Sequence, residues 1–239
     1  ITDLSPLAVL SKLTFLCAWQ NRIVDVSVLA NLMNLEVLDL CDNRISDISA
    51  IRGLTRLTYL KLRGNGIRDI QPLTNLTKLN FLWLHDNQIV DITSLTGLAN
   101  LETLLLYNNR IVDISPLANL TKLKANLKEL HLYNNCIERI DALAGYTNLE
   151  KLYLYNNHIQ DLGPLASLTK LTYLSLESNP IEDVSALRHL TDLTGLIIGS
   201  NRISDIGALA GLTKLTYLWA AYNQIVDVSP LEHLTALTR

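Results

Sequence analysis

The sequence is poor in several residue types and patterns that would indicate common classes of protein. Only three of its 239 residues are cysteines. Cys17, Cys41 and Cys136 have neither the spacing of a metal site nor that of a disulfide framework. The formal net charge is −3, so there is no broad basic field to attract nucleic acid. No apolar run reaches the roughly 18 residues that a membrane-spanning helix needs. We therefore expect neither nucleic-acid binding nor membrane insertion.

The start of the chain carries no targeting information. It begins at Ile1, without a methionine and without a visible signal peptide, which we interpret as a processed or excised fragment. Apolar residues make up 49% of the chain and charged residues 18%. This composition is sufficient to bury a core and is not typical of disorder.

A repeat of 22 residues organises the chain. Ten units follow the template L-x-x-L-x-L-x-x-N-x-I-x-D-I-x-x-L-x-x-L-x-x, for example LTYLKLRGNGIRDIQPLTNLTK at 57–78. The boundaries are a half repeat at 1–12, ten repeats at 13–236 with four extra residues near 122–126, and the start of an eleventh repeat at 237–239. A fixed period of this length predicts a repeat architecture in which each unit packs on its neighbours.

This pattern is identified as a leucine-rich repeat, and the match covers essentially the whole chain as a single domain, 1–239. The repeat length and the stretches NRIVDISPLANLTKL (109–123) and NQIVDVSPLEHLTALT (223–238) resemble the bacterial internalin type. The resemblance implies an α/β solenoid: a right-handed superhelix with a parallel β-sheet on its concave face and short 3₁₀ or helical turns on its convex face. It also implies binding of another protein, and a secreted or cell-surface location, with a cytoplasmic location as the alternative.

Alternation of side chains assigns each repeat position to a face, counting positions 1 to 22 from the first leucine of a repeat. In the repeat that begins at Leu149, the residues Leu149, Leu152 and Leu154 occupy positions 1, 4 and 6 and are predicted to enter the core. Positions 3, 5 and 7 then face the other way. Equal repeat lengths predict one parallel sheet of ten strands, which the four extra residues leave intact.

Three polar features of the template are predicted to be structural. The asparagine at position 9 would satisfy backbone groups inside a buried turn, and the aspartate at position 13 would accept nearby N–H groups before a bend. A row of aspartates also suggests calcium, but no second oxygen ligand repeats beside it, so we expect no metal and no cofactor. Ser-Pro pairs such as Ser115-Pro116 predict a serine N-cap and a short 3₁₀ turn.

Aromatic residues concentrate at the variable positions 3, 5, 7 and 8, and only Tyr146 lies elsewhere, on the back. Tyrosine and tryptophan dominate interface hot spots, whereas β-propensity alone would also favour aromatic residues on strands. We predict a partner-binding face whose densest part lies on four consecutive strands. Its predicted residues are Trp83, His85, Tyr107, His131, Tyr133, Tyr153 and Tyr155, with Lys61, Arg63, Tyr59, Phe81, Tyr173 and Trp219 around them.

Charged residues beside these aromatic residues are predicted to pair across adjacent strands. Asp39 with Lys61, and Glu129 with Lys151, occupy the same position in consecutive repeats. A cation–π contact between Lys61 and Trp83 is expected for the same reason.

No constellation of residues indicates catalysis. His85 and His131 lie two strands apart at different positions, and Cys17 and Cys41 are about 8 Å apart by strand geometry, beyond the reach of a disulfide. The sequence favours a non-enzymatic protein-interaction module. The alternatives are an intracellular regulator similar to phosphatase-binding leucine-rich proteins, a carbohydrate-binding surface, and an engineered or fragmentary scaffold without a natural ligand. Ends without a polar cap also suggest end-to-end self-association.

Overall fold

The computed structural model describes residues 1–239, which divide into two compact units. Unit 1 comprises residues 1–111 and 119–123, and unit 2 comprises residues 112–118 and 124–239. Each unit is built from the same coil: a three-residue strand, a bend, an extended segment and a 3₁₀ turn.

Unit 1 contains a parallel sheet of five strands in chain order. The strands are β1 (Phe15–Cys17), β2 (Val37–Asp39), β3 (Tyr59–Lys61), β4 (Phe81–Trp83) and β5 (Thr103–Leu105). The middle leucines pair in register, as in Leu60 with Leu82. The 3₁₀ turns lie at Ser5–Val9, Ser27–Asn31, Ser49–Gly53, Gln71–Leu73 and Thr93–Leu95.

Unit 2 contains a second parallel sheet of five strands. These are β6 (Glu129–His131), β7 (Lys151–Tyr153), β8 (Tyr173–Ser175), β9 (Gly195–Ile197) and β10 (Tyr217–Trp219). Its 3₁₀ turns lie at Asp141–Gly145, Gly163–Ser167, Ser185–His189, Gly207–Leu209 and Ser229–Leu231. A further 3₁₀ turn, Ser115–Asn119, precedes the one α-helix, α1 (Thr121–Asn126).

The prediction of one ten-stranded sheet is wrong, because the structure has two sheets of five strands. The coil between β5 and β6 is longer by the four extra residues, which fall within α1.

The template leucines and isoleucines form the core of each unit, as predicted. Leu57, Leu60 and Leu62 in unit 1 and Leu149, Leu152 and Leu154 in unit 2 have no exposed surface. Tyr146 was expected on the back, but it replaces a template leucine and is fully buried. Its hydroxyl donates to the Leu117 carbonyl at 2.9 Å, which satisfies the only polar atom of its side chain.

The position-9 asparagines connect consecutive coils, as predicted. Asn87 Oδ1 accepts the N–H of Ile67 at 3.1 Å, while Asn87 Nδ2 donates to the carbonyls of Leu62 and Leu84 at 3.0 Å. One side chain thus bonds backbone groups of its own coil and of the preceding coil. The same geometry recurs at Asn43, Asn65, Asn157, Asn179 and Asn201.

The bend before each asparagine has a left-handed backbone that the sequence analysis did not identify. Position 8 has a positive φ in every full repeat, from Gln20 to Tyr222. Gly64 has a φ of +67° there, and an added Cβ would lie 2.3 Å from Asp42 Oδ1. Asparagine, aspartate and glycine tolerate this conformation, and their frequency at position 8 is the signal that could have revealed it.

The position-13 aspartates accept N–H groups before the 3₁₀ turns, as predicted, except before Asp141–Gly145, where Arg139 occupies position 13. In the first repeat of this kind, Asp3 Oδ1 accepts the N–H of Ser5 at 2.7 Å, and the Ser5 hydroxyl donates to Asp3 Oδ2 at 2.8 Å. The predicted serine N-cap is wrong for Ser5, Ser27 and Ser229, because each is the first residue of its turn and the cap position holds Leu4, Val26 or Val228. The hydroxyls of these serines donate to the preceding aspartate. The predicted 3₁₀ geometry is confirmed.

Replacing a ladder asparagine should destabilise the chain strongly. In Asn87→Ala, buried backbone groups of two coils lose their partner, and each such group costs roughly 1–3 kcal/mol. We expect the free energy of unfolding, measured by urea denaturation, to fall by at least ~2 kcal/mol. Asn100→Ala is the matched control, since the Asn100 bond to the Thr77 carbonyl is exposed and water can replace it. Equal effects of the two substitutions would contradict the structural role of the ladder.

Stability should fall at acidic pH. Hydrogen bonds from the N–H and hydroxyl groups of Ser49 lower the pKa of Asp47 below its ordinary value of 3.8, and the pKa values of Asp3, Asp91, Asp183 and Asp227 are lowered by the same kind of bonds. A carboxyl group whose pKa is lower in the folded than in the unfolded state stabilises the folded state. This stabilisation is complete when the pH is above the pKa of the unfolded state, and it is lost as the pH falls through the pKa of the folded state.

We expect these carboxyl groups to cause no change in the urea midpoint of unfolding between pH 6 and pH 5. Below about pH 4 their protonation should lower the midpoint. The variant Asp47→Asn/Asp91→Asn/Asp183→Asn keeps an oxygen acceptor but cannot titrate, so its midpoint should decrease less on acidification. An identical acid response of the variant and the parent chain would refute the assignment.

Candidate protein-binding surface

The first candidate surface is an aromatic cluster on the strand side of unit 1, which we call cluster 1. It consists of Tyr59, Phe81, Trp83, His85 and Tyr107, supplied by β3, β4 and the residues that follow β4 and β5. The rings form a continuous series: Tyr59 stacks on Phe81 at 5.0 Å, Phe81 contacts Trp83 at 5.3 Å, Trp83 contacts the edge of His85 at 5.6 Å, and His85 stacks on Tyr107 at 4.3 Å between ring centroids. In-register pairing of the strands produces this contact series.

Two cationic side chains of unit 1 flank cluster 1, and carboxylates of the same unit compensate their charges. Lys61 Nζ lies 4.4 Å from the centroid of the Trp83 ring and 3.7 Å from Asp39 Oδ2, which confirms both contacts predicted for Lys61. Arg63 lies between Asp42 at 3.5 Å and Asp86 at 3.4 Å. These residues are partly exposed, so each ion pair contributes no more than about 1 kcal/mol.

Cluster 1 differs in accessibility from residue to residue. Tyr59 is exposed, whereas His85 is only 3% exposed, because the adjacent rings of Trp83 and Tyr107 cover it. His85 therefore supports its neighbours from below the surface. The Trp83 ring is half-buried, and its Nε1–H is buried without a hydrogen-bond partner.

The second candidate surface, cluster 2, lies on the strand side of unit 2. It consists of His131, Tyr133, Tyr153, Tyr155 and Tyr173, from β6, β7, β8 and the residues that follow β6 and β7. His131 stacks on Tyr153 at 4.4 Å and 10°, Tyr133 stacks on Tyr155 at 4.4 Å and 9°, and Tyr153 contacts Tyr173 at 5.3 Å. All five rings are half-buried, so each retains surface for a ligand.

A small charge network borders cluster 2. Glu129 receives a hydrogen bond from His131 Nε2 at 2.9 Å and an ion pair from Lys151 at 3.4 Å, which confirms the predicted pair of Glu129 with Lys151. Burial opposes ionisation of Glu129, but the bonds from His131 and the charge of Lys151 outweigh it, and the pKa of Glu129 is lowered. Burial first, and then the charge of Glu129, raises the pKa of Tyr153.

A cavity of about 360 Å³ opens within cluster 2. Its walls combine four tyrosines with Glu177. Burial, the Tyr133 hydroxyl and the charge of Glu177 raise the pKa of Tyr155 to about 12. Glu177 lies at the variable position 7 of its repeat, where a single glutamate carries no signal until its neighbours are known.

Two glycines that the sequence analysis also did not select allow rings to lie flat on the sheet of unit 2. An added Cβ on Gly195 would lie 2.7 Å from the Tyr173 ring, and one on Gly199 would lie 2.6 Å from the Trp219 ring. Trp219 is 43% exposed. It lies on β10 and has no ring contact with cluster 2.

Thiol and metal chemistry find no support in the side-chain arrangement. All three cysteines are free, and burial followed by the charge of Asp39 raises the pKa of Cys41 to about 12. No group of three or more His, Cys, Asp or Glu side chains is arranged to hold a metal ion. None of the helices has the length and apolar character required to span a membrane.

Lys61 and Trp83 should be energetically coupled. Cation–π contacts at exposed sites contribute about 0.5–1 kcal/mol, so Lys61→Met and Trp83→Leu should each destabilise the chain by a similar amount or more. A double-mutant cycle by urea denaturation should yield a coupling energy of about 0.5 kcal/mol or more. The cycle Arg110→Met/Trp83→Leu serves as the control, and coupling no larger than in that control would contradict the contact.

Comparison with known proteins gives one family. The family model described as Leucine Rich repeats (2 copies) matches residues 55–97, 99–145, 125–157, 147–189 and 191–233, and the model described as Leucine rich repeat matches residues 11–67. No curated protein matches the sequence.

Solved structures with the same fold include bacterial and plant proteins. An internalin, InlF of Listeria monocytogenes, is 35% identical over 99% of this chain and 82% of its own, with a TM-score of 0.76. The leucine-rich-repeat protein LIC12759 of Leptospira interrogans is 23% identical over 100% of this chain and 69% of its own, with a TM-score of 0.78.

The ectodomain of the plant receptor kinase GASSHO1/SCHENGEN3 from Arabidopsis thaliana is 25% identical over 99% of this chain and 30% of its own, with a TM-score of 0.78. Leucine-rich-repeat proteins of these kinds are typically non-enzymatic protein-interaction modules. From its repeat, its fold and these matches, the chain belongs to the leucine-rich-repeat family and is of the internalin type.

Proposed function

We propose that residues 1–239 form one leucine-rich-repeat domain that binds a protein partner on its strand side, through cluster 1 and cluster 2. The observation that carries the proposal is that large aromatic rings lie on the strand side, although they are not required to fill the core. Leucine and isoleucine already fill the interior of both units. Apart from the buried His85, the rings of the two clusters therefore add accessible aromatic area, which is typical of interaction sites.

The chemistry of the clusters favours a protein ligand. Tyrosine and tryptophan offer a large contact area with few rotatable bonds and a polar group at the edge. The tyrosine hydroxyls of cluster 2, whose rings are half-buried, provide directional hydrogen bonds beside apolar ring faces. In the proposed interface Tyr59, Trp83, Tyr107, Tyr133 and Tyr155 contact the partner, and His85 supports the rings from below.

The similar proteins support the proposal. The structure of the GASSHO1/SCHENGEN3 ectodomain contains CASPARIAN STRIP INTEGRITY FACTOR 2 as its ligand, which shows that a protein of this fold binds such a partner. The internalin and receptor neighbours also favour an extracellular or cell-surface location, and we include that location in the proposal.

The test compares ligand capture by three forms of the full chain. The parent chain, Trp83→Ala/Tyr155→Ala and the control Val90→Ala/Val112→Ala are immobilised and exposed to solubilised surface proteins of candidate target cells. Val90 and Val112 are exposed and lie outside both clusters. A protein captured by the parent and the control but lost from the cluster variant is then produced in pure form.

The expected result is a purified partner whose Kd rises by about 30-fold or more in Trp83→Ala/Tyr155→Ala, equivalent to roughly 2 kcal/mol, and is unchanged in the control. Unchanged affinity with both rings removed would refute the proposed surface. Capture abolished by free sugar or by enzymatic deglycosylation of the partner would assign the surface to carbohydrate instead of protein.

A further inference from the structure

The cavity of cluster 2 places aromatic rings beside a carboxylate that has no cationic partner. Tyr133, Tyr153, Tyr155 and Tyr173 line it together with Glu177. The side chain of Glu177 makes neither an ion pair nor a hydrogen bond. Electron-rich ring faces next to a carboxylate attract a cation by two independent electrostatic effects.

The small side chain of Ser175 creates the room in this cavity. Ser175 pairs in register with Tyr153 on one side and with Ile197 on the other, at a position that other repeats fill with larger groups. It is buried, and it forms the floor between larger neighbours. The Tyr173 ring packs against Gly195, and both Tyr173 and Ser175 line the cavity.

Cluster 1 contains the complete form of the same arrangement. There Lys61 Nζ lies between a ring and a carboxylate, 4.4 Å from the Trp83 ring and 3.7 Å from Asp39. Unit 1 thus provides its own cation. Cluster 2 provides the rings and the carboxylate of Glu177 but no cation, so the complementary charge has to come from another molecule.

The neighbouring charges of unit 2 do not fill this role. Lys151 pairs with Glu129 at 3.4 Å, and Arg202 pairs with Glu182 at 3.7 Å. Glu129 also accepts a hydrogen bond from His131 Nε2 at 2.9 Å. The uncompensated charge at the cavity is therefore that of Glu177, which also contributes to the raised pKa values of Tyr155 and Tyr173 after burial and the neighbouring tyrosines.

We propose that this cavity binds a cationic side chain of the protein partner, an arginine or a lysine, with its N–H groups directed to Glu177 and its carbon chain against the tyrosine rings. This inference rests on the proposed function, because the cation belongs to a protein ligand. An N–H-bearing cation fits better than a quaternary ammonium group, since Glu177 accepts hydrogen bonds. A planar guanidinium also stacks on a tyrosine face.

The test uses small probes that carry only the side chain. The full chain is labelled with ¹³C in its tyrosine rings, and ring signals are assigned with single Tyr→Phe variants. N-acetyl-arginine methylamide and N-acetyl-lysine methylamide are titrated to tens of millimolar. N-acetyl-citrulline methylamide serves as the neutral isostere of the arginine probe. Saturable shifts of the Tyr155 and Tyr173 signals with a cationic probe, at least about 5-fold tighter than with citrulline, are expected.

Two variants establish the role of the carboxylate. Glu177→Gln should weaken binding of the cationic probe by about 5-fold or more. Glu138→Gln, the same charge change at an exposed glutamate outside the cavity, should leave it unchanged. Equal binding of arginine and citrulline probes, equal effects of the two variants, or no saturable shift of the cavity tyrosines would each overturn the inference.

The outcome is separable from that of the proposed function. If probe binding fails while a purified partner still depends on Trp83 and Tyr155, the surface binds protein without a cation in this cavity. If the probes bind in the expected order while no partner depends on the clusters, the cavity is a cation site and the proposed function fails.

Discussion

Equal length of consecutive coils is the constraint on which the rest of this structure depends. When coils match in length, each position-9 asparagine lies opposite the backbone groups of the preceding coil, and one amide side chain satisfies donors and acceptors of two coils at once. These groups are buried, so water cannot replace the amide. The same matching brings strands into register and stacks leucine on leucine. The coil between β5 and β6 is longer by four residues, and these residues fall within α1.

Register has a second consequence on the strand side. Residues at one position of successive repeats become direct neighbours, so a variable position forms a row of contacting side chains. Tyr59 stacks on Phe81 and Tyr133 stacks on Tyr155 for this reason. The core positions are occupied by leucine and isoleucine, whereas the strand-side positions vary freely because they do not affect the fold. A surface of this kind changes its ligand by substitution without a change in the scaffold.

The two clusters use similar residues to different effect. In cluster 1, Lys61 of the same unit lies over the Trp83 ring and pairs with Asp39. The charges of this lysine and aspartate therefore compensate each other, and the remaining surface is aromatic. In cluster 2 the glutamate at the cavity has no such partner, and a small serine opens space beside it. The difference between the clusters follows from a few side chains on an otherwise repeated backbone. In a repeat protein, such side-chain differences determine which ligand is bound.

The sequence by itself determined the repeat, the core positions, the asparagine and aspartate bonds, the 3₁₀ turns and the residue pairs Asp39–Lys61 and Glu129–Lys151. All of these depend on spacing along the chain, because a fixed period converts position in a repeat into position in space. Only the tertiary structure decided that the strands form two sheets, that the position-8 bends are left-handed, that Tyr146 is in the core, and that His85 lies beneath its neighbours. It also decided that Glu177, Ser175 and Gly195 shape a cavity. These features depend on the sizes and contacts of side chains from different coils. A repeat template does not contain this information, because it records only what the repeats have in common.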